Sequence, residues 1–223
     1  MEGYYSEKLS AQRLRKCYEI APPRVQQYLD AEIDHVLSRI RPTDLVLELG
    51  CGYGRVLERL APVARTVVGI DTSSASLRLA SDMLRDRTNC HLARTNAIAL
   101  GFQDRVFDVV ACIQNGVSVF GVDRRALIVE AVRVTRPAGR VLLASYSERF
   151  WDDRLEWFRL QAEYGLLGEI DWAATGDGVI VCKDGFQATT TRLDEFVDLT
   201  TSLGTRVRVA EVDQSSVFCE ITV

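Results

Sequence analysis

Val46-Leu47-Glu48-Leu49-Gly50-Cys51-Gly52-Tyr53-Gly54-Arg55 is the stretch that decides how this chain reads. A short apolar run leads through an acid into three alternate glycines, and a helical pattern comes next. Glycine lets the backbone turn sharply and approach a ligand closely, where a Cβ would collide. A nucleoside fits such a loop. The same residues would also serve a plain tight strand-to-helix turn, so the loop gains its meaning from the next strand.

That second apolar run, Val67-Val68-Gly69-Ile70-Asp71, ends in a carboxylate 23 positions after Glu48. In nucleotide-binding α/β folds an acid at the tip of the second strand accepts hydrogen bonds from both ribose hydroxyls, which makes Asp71 the firmest single assignment. A dinucleotide site asks for G-x-G-x-x-G, and the sixth position counted from Gly50 is Arg55. An NAD-dependent oxidoreductase is therefore an alternative with a specific departure against it.

Outward from this centre the chain alternates strand and helix, the pattern of a mainly parallel sheet with helices on both faces. The expected strands are Leu45 to Leu49, Thr66 to Ile70, Cys90 to Arg94, Val106 to Cys112 and Arg140 to Ser145. Helices are expected at Arg55 to Leu60, Ser74 to Arg85 and Arg124 to Thr135, the last ended by Pro137-Ala138-Gly139. Two further helices, Glu7 to Ile20 and Val25 to Ile40, flank the breaker Pro22-Pro23 ahead of the sheet. After Ser145 the rhythm changes. Glu148 to Tyr164 is helical, Gly178 to Cys182 and Phe186 to Thr190 read as a hairpin, and a helix from Leu193 to Leu203 precedes strands at Arg206 to Val212 and Val217 to Val223.

From Leu45 to Ser145 the pattern resembles the class I S-adenosylmethionine-dependent methyltransferases, particularly the small-molecule group of the ubiquinone-biosynthesis type. Glu48, Gly50, Gly52 and Gly54 stand where that family's first motif meets the methionine portion of the cofactor, with Cys51 inside the loop. Asp71, followed by Thr72, stands at its ribose acid. Asn96-Ala97 occupies the place of a pair that usually reads Asp-Ala and faces the adenine amino group; an asparagine carbonyl still accepts from that amine. Cys112-Ile113-Gln114-Asn115 comes after the fourth strand, where methionine-end contacts are expected, with Asn115 turned toward the acceptor. The run ending in Pro137-Ala138-Gly139 matches a turn that usually carries Pro-Gly-Gly. The resemblance implies a Rossmann-like seven-stranded α/β sheet closed by a reversed C-terminal hairpin, with S-adenosylmethionine as cofactor and S-adenosylhomocysteine as product.

The 223 residues suit one domain: a helical cap at 1–42, a cofactor core at 43–147, a substrate-side insertion at 148–190 and a closing helix and hairpin at 191–223. The formal net charge is −4, and the 27 basic residues, all arginine except Lys8, Lys16 and Lys183, are dispersed. No basic stripe suggests nucleic acid, and no apolar run or leader pattern suggests a membrane, so a cytoplasmic protein with a small-molecule substrate is expected. Oligomeric state is not legible. Six scattered cysteines without a C-x-x-C pair read as free thiols.

In-line methyl transfer can be accelerated largely by positioning, so the sequence need not display a base. The acceptor's walls should come from the N-terminal helices and the segment after Ser145. Glu148 to Thr175 holds all three tryptophans and a local net charge of −4, from seven acids and three arginines. Trp151 and Trp157 are the substrate-side candidates, with Tyr5; Tyr4 and Tyr5 are the candidates for a base on an N-terminal lid. A helix packing its aromatics on the sheet explains the same pattern without a ligand. His35 and His91 read as structural. No metal site is expected, although converging Cys112, Cys182 and Cys219 would permit an arsenite-type methyltransferase. A cofactor-binding sensor or partner subunit without turnover is the remaining alternative.

Overall fold

The structure, a computed structural model, describes residue 4 and residues 8–223. Strands β1 (Leu45–Leu49), β2 (Thr66–Asp71), β3 (Cys90–Arg94), β4 (Phe107–Cys112) and β5 (Thr135–Tyr146) pair in parallel. Two short strands, β6 (Ile180–Val181) and β7 (Gln187–Ala188), form a separate hairpin. The last two, β8 (Arg206–Val212) and β9 (Ser216–Thr222), complete a seven-stranded sheet of order β3-β2-β1-β4-β5-β9-β8. β9 runs antiparallel to both β5 and β8, so the closing hairpin is reversed as the resemblance implied.

The helices are α1 (Ala11–Glu19), α2 (Pro23–Leu37), α3 (Arg55–Leu60), α4 (Ser74–Met83), α5 (Gly116–Val119), α6 (Arg124–Val134), α7 (Trp151–Glu163) and α8 (Leu193–Thr200). Successive strand residues point to opposite faces, which sorts the core into two layers. Val46, Val109 and Leu142 meet α2 and α3 on one face through Ile33, Val36 and Leu57. Leu47, Val110 and Leu143 meet α6 and α8 on the other through Leu127, Ala131 and Phe196. A third cluster, built from α1, the start of α2, α7 and the small hairpin, caps the end of the sheet.

Two boundaries differ from the sequence reading for identifiable reasons. Pro23 opens α2 instead of merely preceding it, because the first helical position has no hydrogen bond for a proline to break. Thr135 already pairs with Phe107, and the register then jumps so that Val109 meets Arg140. Arg136 to Gly139 therefore bulge out of β5 instead of forming a turn ahead of it, with Ala138 at φ +64°. A Cβ on Gly139 would come within 2.8 Å of the Asp108 and Arg136 carbonyl oxygens, so the bulge closes only around a glycine.

Candidate functional site

The sheet order reverses between β1 and β4, the place where open α/β sheets bind ligands. There the strand ends open into a cavity of about 660 Å³. Of the residues expected to hold a cofactor, Glu48, Gly50, Gly52, Asp71, Thr72, Asn96, Ala97 and Ile113 line it. Cys51, Gly54 and Cys112 do not. Cys51 packs its sulfur against the Cα of Gly69 on β2, and Gly54 is the left-handed N-cap of α3. Cys112 is fully buried in the layer beneath α6.

The glycine loop is tied to the neighbouring strand. Gly50 and Cys51 both donate N–H to the Ile70 carbonyl, at 2.9 and 2.8 Å. Gly50 sits at φ +76°, and a Cβ there would lie 2.2 Å from the Phe120 ring, so both backbone and space demand glycine. Asp71 accepts N–H bonds from Gly52 at 2.9 Å and Ser73 at 2.8 Å, one on each oxygen. Burial raises its pKa while these bonds oppose the rise. Each oxygen keeps a lone pair for a further donor. Asn96 uses its side-chain oxygen to cap the Ile98 N–H at 3.1 Å, again with a lone pair to spare.

Glu48 is the unsettled group. It is 4% exposed, and its Oε2 has no hydrogen-bond partner among the described residues. Burial pushes its pKa up to about 8, with Arg55 opposing the rise and Asp71 adding to it. A buried acid without a partner is costly, and a cationic or donor group entering the cavity would relieve it.

The far side of the cavity is apolar and phenolic. α1 contributes Leu14, Cys17 and Tyr18, α2 contributes Tyr28 and Leu29, and α7 contributes Trp157, Phe158 and Gln161. Trp157 donates its indole N–H to the Cys17 carbonyl at 2.9 Å, and Ala11 N–H reaches Ser76 Oγ at 3.0 Å. α1 is thus pinned across the opening from both sides. Burial pushes the Cys17 thiol and the Tyr146 phenol up to about 12, and raises Tyr18 and Tyr28 as well. His35 pairs with Glu220 at 3.1 Å against Phe218, and His91 is exposed on β3; neither lines the cavity.

Other sequence candidates fall elsewhere. Asn115 is a buried lock, donating to the Thr189 carbonyl and accepting from Ser145, both at 2.8 Å. Trp151 lies off the cavity near Arg154, whose guanidinium carbon is 5.8 Å from its ring centroid. Tyr4 donates to Asp184 at 2.5 Å and edges onto Phe186, away from the cavity. Tyr5 lies outside the described residues. Cys112 and Cys219 share one core layer while Cys182 belongs to the cap, and no group of three or more metal-ligating side chains occurs among the described residues. Sequence reasoning did not single out Arg94, Tyr28, Tyr146 or Gln161. Arg94 donates to the Thr72 carbonyl at 3.0 Å, beside Asp71.

Comparison with known proteins bears on residues 46–139, which match the family model described as a methyltransferase domain. A 2-methyl-6-phytyl-1,4-hydroquinone methyltransferase from Synechocystis is 30% identical over 142 residues, covering 60% of this chain and 43% of that protein. A demethylmenaquinone methyltransferase from Tropheryma whipplei is 30% identical, covering 46% of this chain and 41% of that one. The chain thus aligns with less than half the length of these relatives. A SAM-dependent methyltransferase structure from Methanosarcina mazei superposes with TM-score 0.63 at 22% identity, covering 85% of this chain and 97% of that chain. The [4+2]-cyclase SpnF superposes with TM-score 0.65 at 16% identity, over 88% and 81% of the two chains. These structural likenesses establish the fold.

Proposed function

We propose, for a chain whose residues 46–139 fall within the methyltransferase-domain family, that it transfers a methyl group from S-adenosylmethionine to a small, neutral acceptor. The observation that carries this reading is one cavity joining two unlike halves: a nucleoside cradle of glycine loop and Asp71, and an apolar phenolic chamber under α1 and α7. The residues present fit the cofactor. Asp71 has capacity for the ribose, Asn96 and Ala97 stand beside the adenine place, and Glu48 awaits the cationic methionine end. Bound there, S-adenosylmethionine would supply an electrophilic sulfonium methyl.

The chain's own contribution is to bind, orient and exclude water. Among the described residues, the aromatic walls offer no lysine or arginine to a phosphate or carboxylate on the acceptor side. A neutral ring compound is the acceptor class we favour, and the hydroquinone and demethylmenaquinone acceptors named for two relatives suggest the ring compounds to try first. Within this reading the chain is one unit, residues 1–42 and 148–190 supplying the acceptor walls. All six cysteines are free, which supports a reducing, cytoplasmic setting.

Calorimetric titration with S-adenosylmethionine, S-adenosylhomocysteine and NAD tests the cofactor. Binding of the two adenosyl ligands without NAD is expected, and NAD binding alone would overturn the reading. Formation of S-adenosylhomocysteine in the presence of 2-methyl-1,4-hydroquinone and related ring acceptors then tests turnover, and separates an enzyme from a silent binder.

A further inference from the structure

The buried face of α7 is formed by Arg154, Trp157, Phe158 and Gln161, spaced so that all four share one side of the helix. Three of them are accounted for. Arg154 donates to the Gly178 and Ala188 carbonyls, the Trp157 indole donates to the Cys17 carbonyl, and Phe158 packs on Phe186 with ring centroids 5.6 Å apart. Gln161 is 3% exposed and lines the cavity, yet its carboxamide makes no hydrogen bond with any described residue. Its backbone, by contrast, is fully engaged: the Gln161 carbonyl accepts the Leu166 N–H at 2.9 Å and the Leu167 N–H at 3.4 Å, which fixes the last turn of the helix.

Glu32 and Tyr28 on α2 make the contrast. Glu32, 0% exposed, is satisfied by the Gln114 N–H at 2.5 Å and the Ser216 hydroxyl at 2.6 Å. Tyr28 Oη is unpartnered but sealed from the cavity. The Gln161 amide is unpartnered without being sealed, so the small area it keeps opens onto the cavity.

That combination fixes what an occupant must carry. A plain hydrocarbon ring filling the chamber would strip the amide of solvent and return nothing, burying an unpaired polar group. A ring bearing a hydroxyl or carbonyl oxygen replaces the lost hydrogen bond, because a carboxamide both donates and accepts. Leu14, Leu29, Trp157 and Phe158 offer apolar cover to the rest of such a ring.

We propose that the Gln161 carboxamide is the polar anchor of the acceptor chamber, hydrogen-bonding an oxygen of the acceptor ring and so selecting oxygen-bearing neutral rings over plain hydrocarbon ones. The proposal rests on the methyltransferase reading for calling that occupant a methyl acceptor. Gln161 is a specificity-determining residue: it holds the ring in one orientation on the far side of the cavity and takes no part in moving the methyl group or a proton. The hold is rigid because α7 is itself tied to α1 through Trp157, one turn before Gln161.

Gln161→Met, with Gln161→Leu as a second variant, separates an anchor from a structural amide. Both variants remove a buried polar group that has no partner to lose, so the melting temperature of the ligand-free protein should stay within about 4 °C of the wild type or rise. A larger fall in both variants marks a structural amide and overturns the anchor. NMR titration of the ligand-free protein with 2-methyl-1,4-hydroquinone and with toluene, the same ring without its oxygens, reads the recognition. The preference for the hydroquinone over toluene, taken as a ratio of Kd values, should fall about 10-fold in Gln161→Met. A fall of less than about threefold, or a wild type that does not bind the hydroquinone at millimolar concentration, overturns the proposal. Affinity for S-adenosylhomocysteine should stay within about twofold in the variant, as no cofactor contact is changed. Failure of the wild type to bind S-adenosylhomocysteine would instead remove the methyltransferase reading, while the ring titrations, made without cofactor, still decide on Gln161.

Discussion

Asp71 and Glu48 show how two acids at the tips of neighbouring strands, beside one glycine loop, come to do different work. Asp71 is satisfied by backbone N–H groups and retains capacity for a ligand, so Asp71→Ala should weaken S-adenosylhomocysteine binding by about 1.5–3 kcal/mol, the range for hydrogen bonds to a charged acceptor. Calorimetry on a mutant of unchanged fold checks this, and an unaltered affinity would remove the ribose assignment. Glu48 has a vacant oxygen and a pKa near 8. A cationic methionine end beside it would lower that pKa, so below about 8 binding must release a proton. Affinity should therefore climb as pH rises toward 8 and flatten above it. In Glu48→Gln the climb should disappear, and calorimetry in buffers of different ionisation enthalpy would count the proton. The loop and Asp71 are legible in the sequence because their requirement is local: positive φ, close approach, an acid at a strand tip. Tyr28 and Glu32 are not, because only packing shows what they face. Val25, Tyr28, Leu29, Ile33 and Val36 read as an apolar stripe, and Glu32, lying inside the same stripe, is the one charge whose position could have signalled the buried acid.

The elements that carry the sheet are legible to within a few residues, since period-2 apolar runs and glycine or proline boundaries are properties of the chain itself. The β5 bulge is not, because Thr135 becomes strand only through pairing with Phe107. The cap helix and hairpin are legible as elements, at Glu148 to Tyr164 and at Gly178 to Cys182 with Phe186 to Thr190, but where they dock is not. The tiny β6–β7 hairpin packs Ile180, Cys182, Phe186 and Ala188 into the cap and is also tied to α7 by one buried side chain, Arg154, which is 1% exposed. Its guanidinium donates to the Gly178 and Ala188 carbonyls, both at 3.0 Å, and lies over the Tyr146 ring at 4.3 Å. Arg154→Met should keep much of the packing volume and strand those two carbonyls. A loss of roughly 3 kcal/mol in urea unfolding is expected, from bonds to a charged donor worth about 1.5–3 kcal/mol each. A change below about 0.5 kcal/mol would mean that apolar packing alone holds the hairpin.

Across the whole molecule, the buried acids set the pH at which the empty protein is most stable. Glu32 and Glu48 have folded-state pKa values of about 7 and 8, well above those of an unfolded carboxyl. Between the unfolded and folded values the native state binds more protons than the unfolded chain, so stability from both groups falls as pH rises through that window. Carboxylates lowered by their partners act oppositely: Glu220 beside Arg39, Asp213 beside Arg24 and Glu130 beside Arg133 lose stability only when acid protonates them. The two trends together place the ligand-free optimum on the acid side of neutrality, at about pH 5–6. A ligand that pairs with Glu48 removes part of the alkaline penalty, so its stabilisation should grow with pH. Saturation at about 100 times Kd adds roughly 2.7 kcal/mol. Melting temperatures from pH 5 to 8.5, with and without S-adenosylhomocysteine, should show the gap widening toward pH 8, and in Glu48→Gln it should be level. A gap that is constant in the wild type would mean that the ligand leaves the buried acid untouched, and that the cavity's charge was arranged for something else.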